Sequence, residues 1–296
     1  MPGEKPAKMC SFCNGPREAC GSDCPYNIRK KEIASGAEAS VLPISFHIVD
    51  AADRALELGQ SGRGEYGGNR EHYIELIRSM SRSEPAVAFQ QLQRVYEGVE
   101  DKGGKNVTLR AMVKGCGQAG ADFVAREIER IPPDAIQPDR NPMKDRDPRA
   151  EMLFIIAEGG AEHGLAVIEK YFDGLDDRKK FIMLRTLAAS ADRDAVRKYI
   201  VQKFPTIKDK WSIQQLMYGI AQMEDKTFIP GLLRELYDAA ADRTAKDSVL
   251  NAAATHGWKD LLDLLKVHVG EVQDSTIRES VEKEIARQET LGGREG

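Results

Sequence analysis

Apolar residues recur at helical spacing along the chain from about residue 45 onward. Phe228, Leu232 and Leu236 lie on one side of a helix, and Trp258 and Leu265 belong to a second stripe of the same kind. Almost no segment alternates apolar and polar residues with period two, which is the pattern of a half-buried strand. The pattern therefore predicts an all-α protein whose apolar stripes cover a tertiary core.

The helical stripes repeat in a common form. Equivalent apolar positions are separated by 37, 41, 31, 33 and 32 residues, the length of one helical hairpin. Small residues at the hairpin ends indicate that the paired helices approach closely. The first helices are predicted at 72–80, 107–116, 149–158, 178–189, 212–222 and 245–254, and the second helices at 86–96, 121–131, 162–172, 194–204, 227–237 and 258–269.

Two loops and one additional helix interrupt or end this pattern. The five prolines of 131–148 predict a loop insertion, and the five glycines of 59–70 predict a mobile loop after a helix at 45–58. The segment 275–289 is predicted to be a helix with a narrow apolar stripe and charged residues on its other faces. A capping box from Thr276 to Glu279 marks its start. That composition is expected of a helix that caps the end of a repeat array.

The run LRTLAASADRDAVRKYIVQKF at 184–204 has a first helix, a short turn with aspartates, and a second helix that opens with Ala195-Val196. It resembles the HEAT-like, armadillo-type α-solenoids. The resemblance covers residues 70–273 and implies about six stacked helical hairpins whose curved surface binds another protein. A plain bundle of helical hairpins is the alternative fold.

Four of the five cysteines, Cys10, Cys13, Cys20 and Cys24, lie within fifteen residues. The two short spacings each present two thiolates, and the six residues between the pairs let the chain reverse, so all four sulfurs reach one tetrahedral ion. Structural zinc is the expected occupant. Cys20-x3-Cys24-Pro25 is also similar to the end of the bacterial ferredoxin motif, which makes an iron–sulfur cluster the alternative. An unmetallated thiol cluster is the third reading.

Composition and the absence of known motifs argue against several classes of function. A net charge of −4 in a chain with 30% charged residues argues against a general nucleic-acid binder, whose surface is basic. We expect a cytoplasmic protein with reduced cysteines and no membrane segment, in which Cys116 is a buried helix residue. The five histidines lie in separate segments, and no phosphate-binding or nucleophile motif occurs. Enzymatic activity therefore has no support from the sequence.

Local charge bias defines two further candidate features. Residues 176–210 hold ten Lys and Arg against five Asp, which predicts a patch for an anionic partner. Cations near the ends of the second helices either complement the helix dipoles or form a binding ladder. The patch residues are Arg178, Lys179, Arg197, Lys198 and Lys203, and the helix-end cations are Arg94, Arg130, Lys170, Lys203, Arg234 and Lys266.

These features predict a non-enzymatic interaction scaffold that binds a protein partner, with the zinc module as a second contact or a stabilising lid. The alternatives are a HEAT-like DNA-repair or nucleic-acid protein resembling the alkyl-base glycosylases, a relative of the phycobilin lyase repeats, and an iron–sulfur redox protein. The predicted organisation is a disordered leader at 1–9, a metal module at 10–26, a linker with one helix and the Gly-rich loop at 27–69, repeats at 70–273, and a capping helix and tail at 274–296.

Overall fold

The computed structural model describes residues 43–60, 67–137, 147–191, 193–223 and 227–292, and their regular secondary structure is helical. The all-α prediction is confirmed. The α-helices in these ranges are α1 (Ile44–Gln60), α2 (Gly67–Met80), α3 (Pro85–Gly98), α4 (Lys102–Cys116), α5 (Gln118–Glu129), α6 (Pro148–Phe172), α7 (Asp177–Ala188), α8 (Asp194–Lys203), α9 (Lys210–Ala221), α10 (Ile229–Ala239), α11 (Arg243–His256), α12 (Leu262–His268) and α13 (Ser275–Gly292).

Helix packing divides the chain into two compact units, Met1–Gly120 and Ala121–Gly296. In the first unit, α1 packs against α2 and α3, and α4 packs against α2 and α3. The helix α1, which precedes the first predicted repeat, is therefore part of the packed array. Its core includes Ile48, Ile74, Leu92 and Leu109, all fully buried.

The second unit has two rows of helices. One row contains α7, α9, α11 and α13, each in contact with the next. In the other row α8 contacts α10, and α10 contacts the 3-10 turn Lys259–Leu261 that precedes α12. Phe172, Leu216 and Leu236 are fully buried between these helices. The segment 258–269, predicted as one helix, is divided into this 3-10 turn and α12.

Helix α6 bends sharply where two helices were predicted. Helical backbone continues through Gly159-Gly160, so the prediction of a break between two helices at this point is wrong. A methyl group on Gly164 would nevertheless overlap Cγ2 of Ile156, eight residues earlier. In a straight helix these residues are about 12 Å apart, and therefore α6 turns back on itself between them. A pair of glycines is a common cause of such a kink.

Several helices begin before their predicted first residue, among them α4, which begins at Lys102 and not at residue 107. Helix α2 begins at Gly67 and not at His72, and α6 begins at Pro148, which was assigned to the insertion. Proline suits the first helical position because the N–H that it lacks has no partner there. At α13 the cap is Asp274, whose Oδ1 accepts from the backbone N–H of Thr276 at 3.0 Å. The predicted capping box is wrong.

Candidate functional site

The predicted metal site lies outside the described residues. Cys10, Cys13, Cys20 and Cys24 all precede residue 43, where the description begins. Within the described ranges, no group of three or more His, Cys, Asp or Glu side chains is arranged to hold a metal ion. Zinc and its iron–sulfur alternative therefore stay predictions from the cysteine spacing.

Three of the five predicted patch residues are paired with carboxylates. Lys179 Nζ lies 2.7 Å from Asp176, and the Arg197 guanidinium donates twice to Glu235, at 2.9 and 2.7 Å. Lys203, the third of these residues, is buried. Arg178 and Lys198 are exposed, and they form no ion pair with any residue that the structure describes. Arg193 also pairs, with Glu162 at 3.2 Å. Four of the ten cations of 176–210 therefore form ion pairs among the described residues, and the charge surplus is used only in part.

The helix-end cations are also paired, mostly between hairpins. Their partners lie on other helices in five of six cases, so the pairs connect neighbouring elements within each unit. Arg130 is the exception, since it pairs with Glu127 of its own helix end. The pairs between helices are Arg94 with Asp53 at 2.7 Å, Lys170 with Glu129 at 2.8 Å, Lys203 with Glu169 at 2.9 Å, Arg234 with Asp263 at 2.5 Å, and Lys266 with Glu289 at 2.7 Å.

Lys203 is the most buried of these cations, with 6% of its surface exposed. Its ammonium lies 2.9 Å from Glu169 and 3.1 Å from Asp173, and 5.6 Å from the centre of the Phe172 ring. The hydrogen bond to Glu169 raises the pKa of Lys203 above its ordinary value. Burial of the Tyr199 phenol, followed by the charge of Glu169, raises the pKa of that tyrosine as well.

Lys203→Met is expected to lower the free energy of unfolding by about 1 kcal/mol at neutral pH. Because the folded-state pKa of Lys203 lies above 10.5, its stabilisation is complete below that pH and disappears as pH rises through the folded value. Denaturant midpoints measured from neutral to alkaline pH should therefore converge for wild type and variant. Exposed Lys198→Met is the control, and an equal loss at neutral pH in that variant would contradict the assignment.

Aspartates cap the first helix of successive hairpins, a feature that the sequence reading missed. Each side chain accepts a hydrogen bond from a backbone N–H in the first turn of the helix that follows it. From Asp147 onward they recur at intervals of 29, 33, 33 and 32 residues. The caps are Asp101 of α4, Asp147 of α6, Asp176 of α7, Asp209 of α9, Asp242 of α11 and Asp274 of α13.

A groove of about 260 Å³ lies along α9 and α11 in the second unit. Its floor is apolar and comes from Met217, Ala221, Ala252 and Ile277. Its polar lining consists of amides, hydroxyls and one imidazole, and we call the whole site the amide groove. The remaining lining residues are Gln214, Gln215, Tyr218, Ser248, Asn251, Thr255 and His256.

The amide groove contains no Asp, Glu, Lys or Arg among its eleven lining residues. At the 30% charged fraction of the chain, eleven residues would include about three such side chains. A charged ligand would therefore lose hydration in the groove without gaining an ion pair. The site selects for neutral groups that donate and accept hydrogen bonds.

Four side chains of the groove have no hydrogen-bond partner among the described residues: Gln214, Gln215, Tyr218 and Asn251. Ser248 and Thr255 differ, since their hydroxyls donate to backbone carbonyls of α11 at 2.8 and 2.7 Å. The four free groups together offer three amides and a phenol to a ligand.

Tyr218 and His256 line the groove, and two tryptophans lie close to them in the chain. Tyr218 is 59% exposed, and Trp211, two turns earlier on α9, is 50% exposed while its ring packs edge-on against Phe181 at 5.4 Å. His256 stacks on Trp258 at 5.2 Å, and its Nε2 is buried without a partner among the described residues. The sequence reading singled out neither this groove nor its residues, although the run of uncharged polar residues on α9 was visible.

Cys116 ends α4, as predicted for a helix residue, but it is half-buried and not fully buried. Burial raises the pKa of its thiol to about 11. At neutral pH the side chain is therefore a protonated thiol, which is a poor nucleophile.

No helix in the described ranges is both long enough and apolar enough to cross a membrane. Comparison of the chain with protein-family models, with curated proteins and with solved structures finds no match.

Proposed function

We propose that this chain is a non-enzymatic scaffold of HEAT-like helical repeats that binds an extended segment of a protein partner in the amide groove. The observation that carries the proposal is the groove itself. It presents Gln214, Gln215, Tyr218 and Asn251 without hydrogen-bond partners among the described residues, and no charged side chain lines it.

The solenoid part of the proposal is supported by contacts between hairpins. Ser81 Oγ donates to the carbonyl of Gly115, 34 residues away, and Arg243 pairs with Glu271, 28 residues away. Contacts at about one repeat length are expected of stacked hairpins, because each repeat touches only its neighbours. The recurring aspartate caps have the same period. We propose such stacking within each unit, with α13 as a terminal cap.

The chemistry of the groove favours a polypeptide main chain. Side-chain amides donate and accept hydrogen bonds, and so do the backbone N–H and C=O groups of an extended peptide. The buried Met217, Ala221 and Ala252 beneath the amides form a floor that suits an apolar side chain. The volume of 260 Å³ is small for a drug-sized ligand, whose sites usually exceed about 300 Å³. It suits one anchoring side chain of a peptide.

The N-terminal cysteine module has a supporting role in this proposal. Four zinc-bound thiolates fold a short segment through the energy of metal binding, and we propose that the module is a second contact with the partner or a stabilising lid. Reduced cysteines of this kind are typical of cytoplasmic proteins, and we propose that compartment.

Selection of a random-peptide phage library on the full-length protein tests the proposal. We expect the selected peptides to be uncharged around one large apolar residue. Gln214→Glu combined with Asn251→Asp should weaken the best peptide by at least about tenfold, since a bound neutral peptide would remove water from both new carboxylates without neutralising them. Tyr218→Ala should weaken it by a similar factor, because exposed tyrosines are frequent binding hot spots.

Gln202→Glu is the matched control. Gln202 is exposed on α8, outside the groove, and its substitution adds the same type of charge. Fluorescence anisotropy should give unchanged affinity for this variant. Equal affinity of the peptides for all the variants, or failure of the library to yield any specific peptide, would refute binding in the amide groove.

A further inference from the structure

A concave basic site of about 290 Å³ lies in the first unit, where α2 and α4 end side by side. Three of its six lining residues are cations, Arg78, Arg82 and Lys114, and none is a carboxylate. The other lining residues are Ser79, Ser81 and Gly115. We call this site the basic notch.

Hydroxyl groups serve three backbone carbonyls next to the notch. Ser79 Oγ donates to Leu76 O at 2.7 Å, and the single hydroxyl proton of Ser81 is shared between Arg78 O at 2.6 Å and Gly115 O at 2.9 Å. Cations near a helix carboxyl end usually serve these carbonyls. Here the serines do so, which leaves the cationic side chains available.

The cations differ in how far they are neutralised. Arg78 Nε donates to Glu75 at 2.6 Å, so one side of its guanidinium is used. Arg82 lies beyond the end of α2 and Lys114 in the last turn of α4. Both are exposed and form no ion pair with the residues that the structure describes, although the charge of Glu75 also acts on Lys114. With Glu75 included, the notch keeps an excess of positive charge.

Close packing of the two helix ends brings the cations together. A methyl group at Gly115 would lie 2.7 Å from Ser81 Oγ and 3.2 Å from Cγ of Arg78, so glycine is required for the approach. Cations from two helices then surround one concavity instead of lying in a line. A compact anion with several acceptor oxygens fits this arrangement, whereas the extended backbone of a nucleic acid needs a track of cations.

We propose that the basic notch binds a phosphate monoester group, with Arg82 and Lys114 as its principal ligands and the free face of Arg78 as the third. The site lies within the first unit and does not depend on the peptide-binding role of the amide groove. It is also separate from the patch at 176–210, where the structure pairs three of the five predicted cations.

Phosphorus NMR of inorganic phosphate and of O-phosphoserine, with full-length protein in phosphate-free and sulfate-free buffer, tests the proposal. We expect saturable line broadening with both probes and mutual competition between them. Arg82→Gln and Lys114→Gln should each weaken the affinity by about tenfold, the effect of losing one charged hydrogen bond. Circular dichroism should give unchanged thermal unfolding for both variants.

Arg178→Gln is the control, since Arg178 is also an exposed arginine and has no ion pair in the described part of the second unit. It should bind both probes like wild type. A loss equal to that of Arg82→Gln would indicate general electrostatic attraction and overturn the site. Binding of an oligonucleotide without terminal phosphates, with the same dependence on Arg82 and Lys114, would assign the notch to nucleic acid instead. Absence of saturable broadening would also refute the proposal.

Discussion

Full-length protein purified without oxygen is expected to contain one zinc ion per chain, and Cys13→Ser to contain none. A tetrahedral site with four thiolates loses its geometry when one ligand is removed, and the binding energy of zinc is the folding energy of so small a module. Elemental analysis and the visible absorption spectrum measure the outcome. A colourless protein with zinc is the predicted result.

Cys116→Ser is the control for this experiment and should retain the full zinc content. Cys116 lies on α4, about ninety residues from the cysteine cluster along the chain, and it belongs to no predicted metal site. Iron together with sulfide and a broad visible absorption would establish the iron–sulfur alternative. Protein isolated under the same conditions without any metal would contradict both metal hypotheses and support the unmetallated thiol cluster.

Gly120→Ala is expected to be strongly destabilising. The added methyl group would overlap the carbonyl of Met112 and lie 2.8 Å from the backbone nitrogen of Val113. Backbone atoms do not rotate away as side chains do, so the two helices on either side of Gly117 must separate. The loss should be about 3 kcal/mol, the upper range for overpacking.

Gly270→Ala is the matched control, because its methyl group would have no described residue within 4 Å other than its own neighbours along the chain. Its free energy of unfolding should change by no more than about 0.5 kcal/mol. Denaturant unfolding followed by far-UV circular dichroism compares the two variants. Equal midpoints would show that the close approach at Gly120 relaxes without cost.

The helices of this protein follow from local patterns in the sequence. The apolar stripe of Phe228, Leu232 and Leu236 predicts α10, and Leu232 and Leu236 are fully buried in it. The Gly159-Gly160 pair predicts a break between two helices, which is wrong as to the backbone, since α6 stays helical there but bends. Such signals are readable because helix periodicity and glycine flexibility act over a few residues.

Local sequence patterns do not predict which carboxylate pairs with each of the charged residues. Lys203 and Arg234 lie near helix ends in the sequence. This position predicts either that they complement the helix dipole or that they bind a ligand. In the structure they bind Glu169 and Asp263, 34 and 29 residues away. A cation has many carboxylates within the range of one repeat, and only the register of stacked helices decides which one it meets.

The sequence by itself determined the all-α class, most helix positions and the clustering of four cysteines, since each depends on residues close together in the chain. Tertiary structure decided the two candidate binding sites. The amide groove combines Gln214 and Asn251 from different hairpins, and the basic notch combines Arg82 and Lys114 from another pair of helices. Neither combination has a local signature, because each arises only when helices about one repeat apart pack side by side.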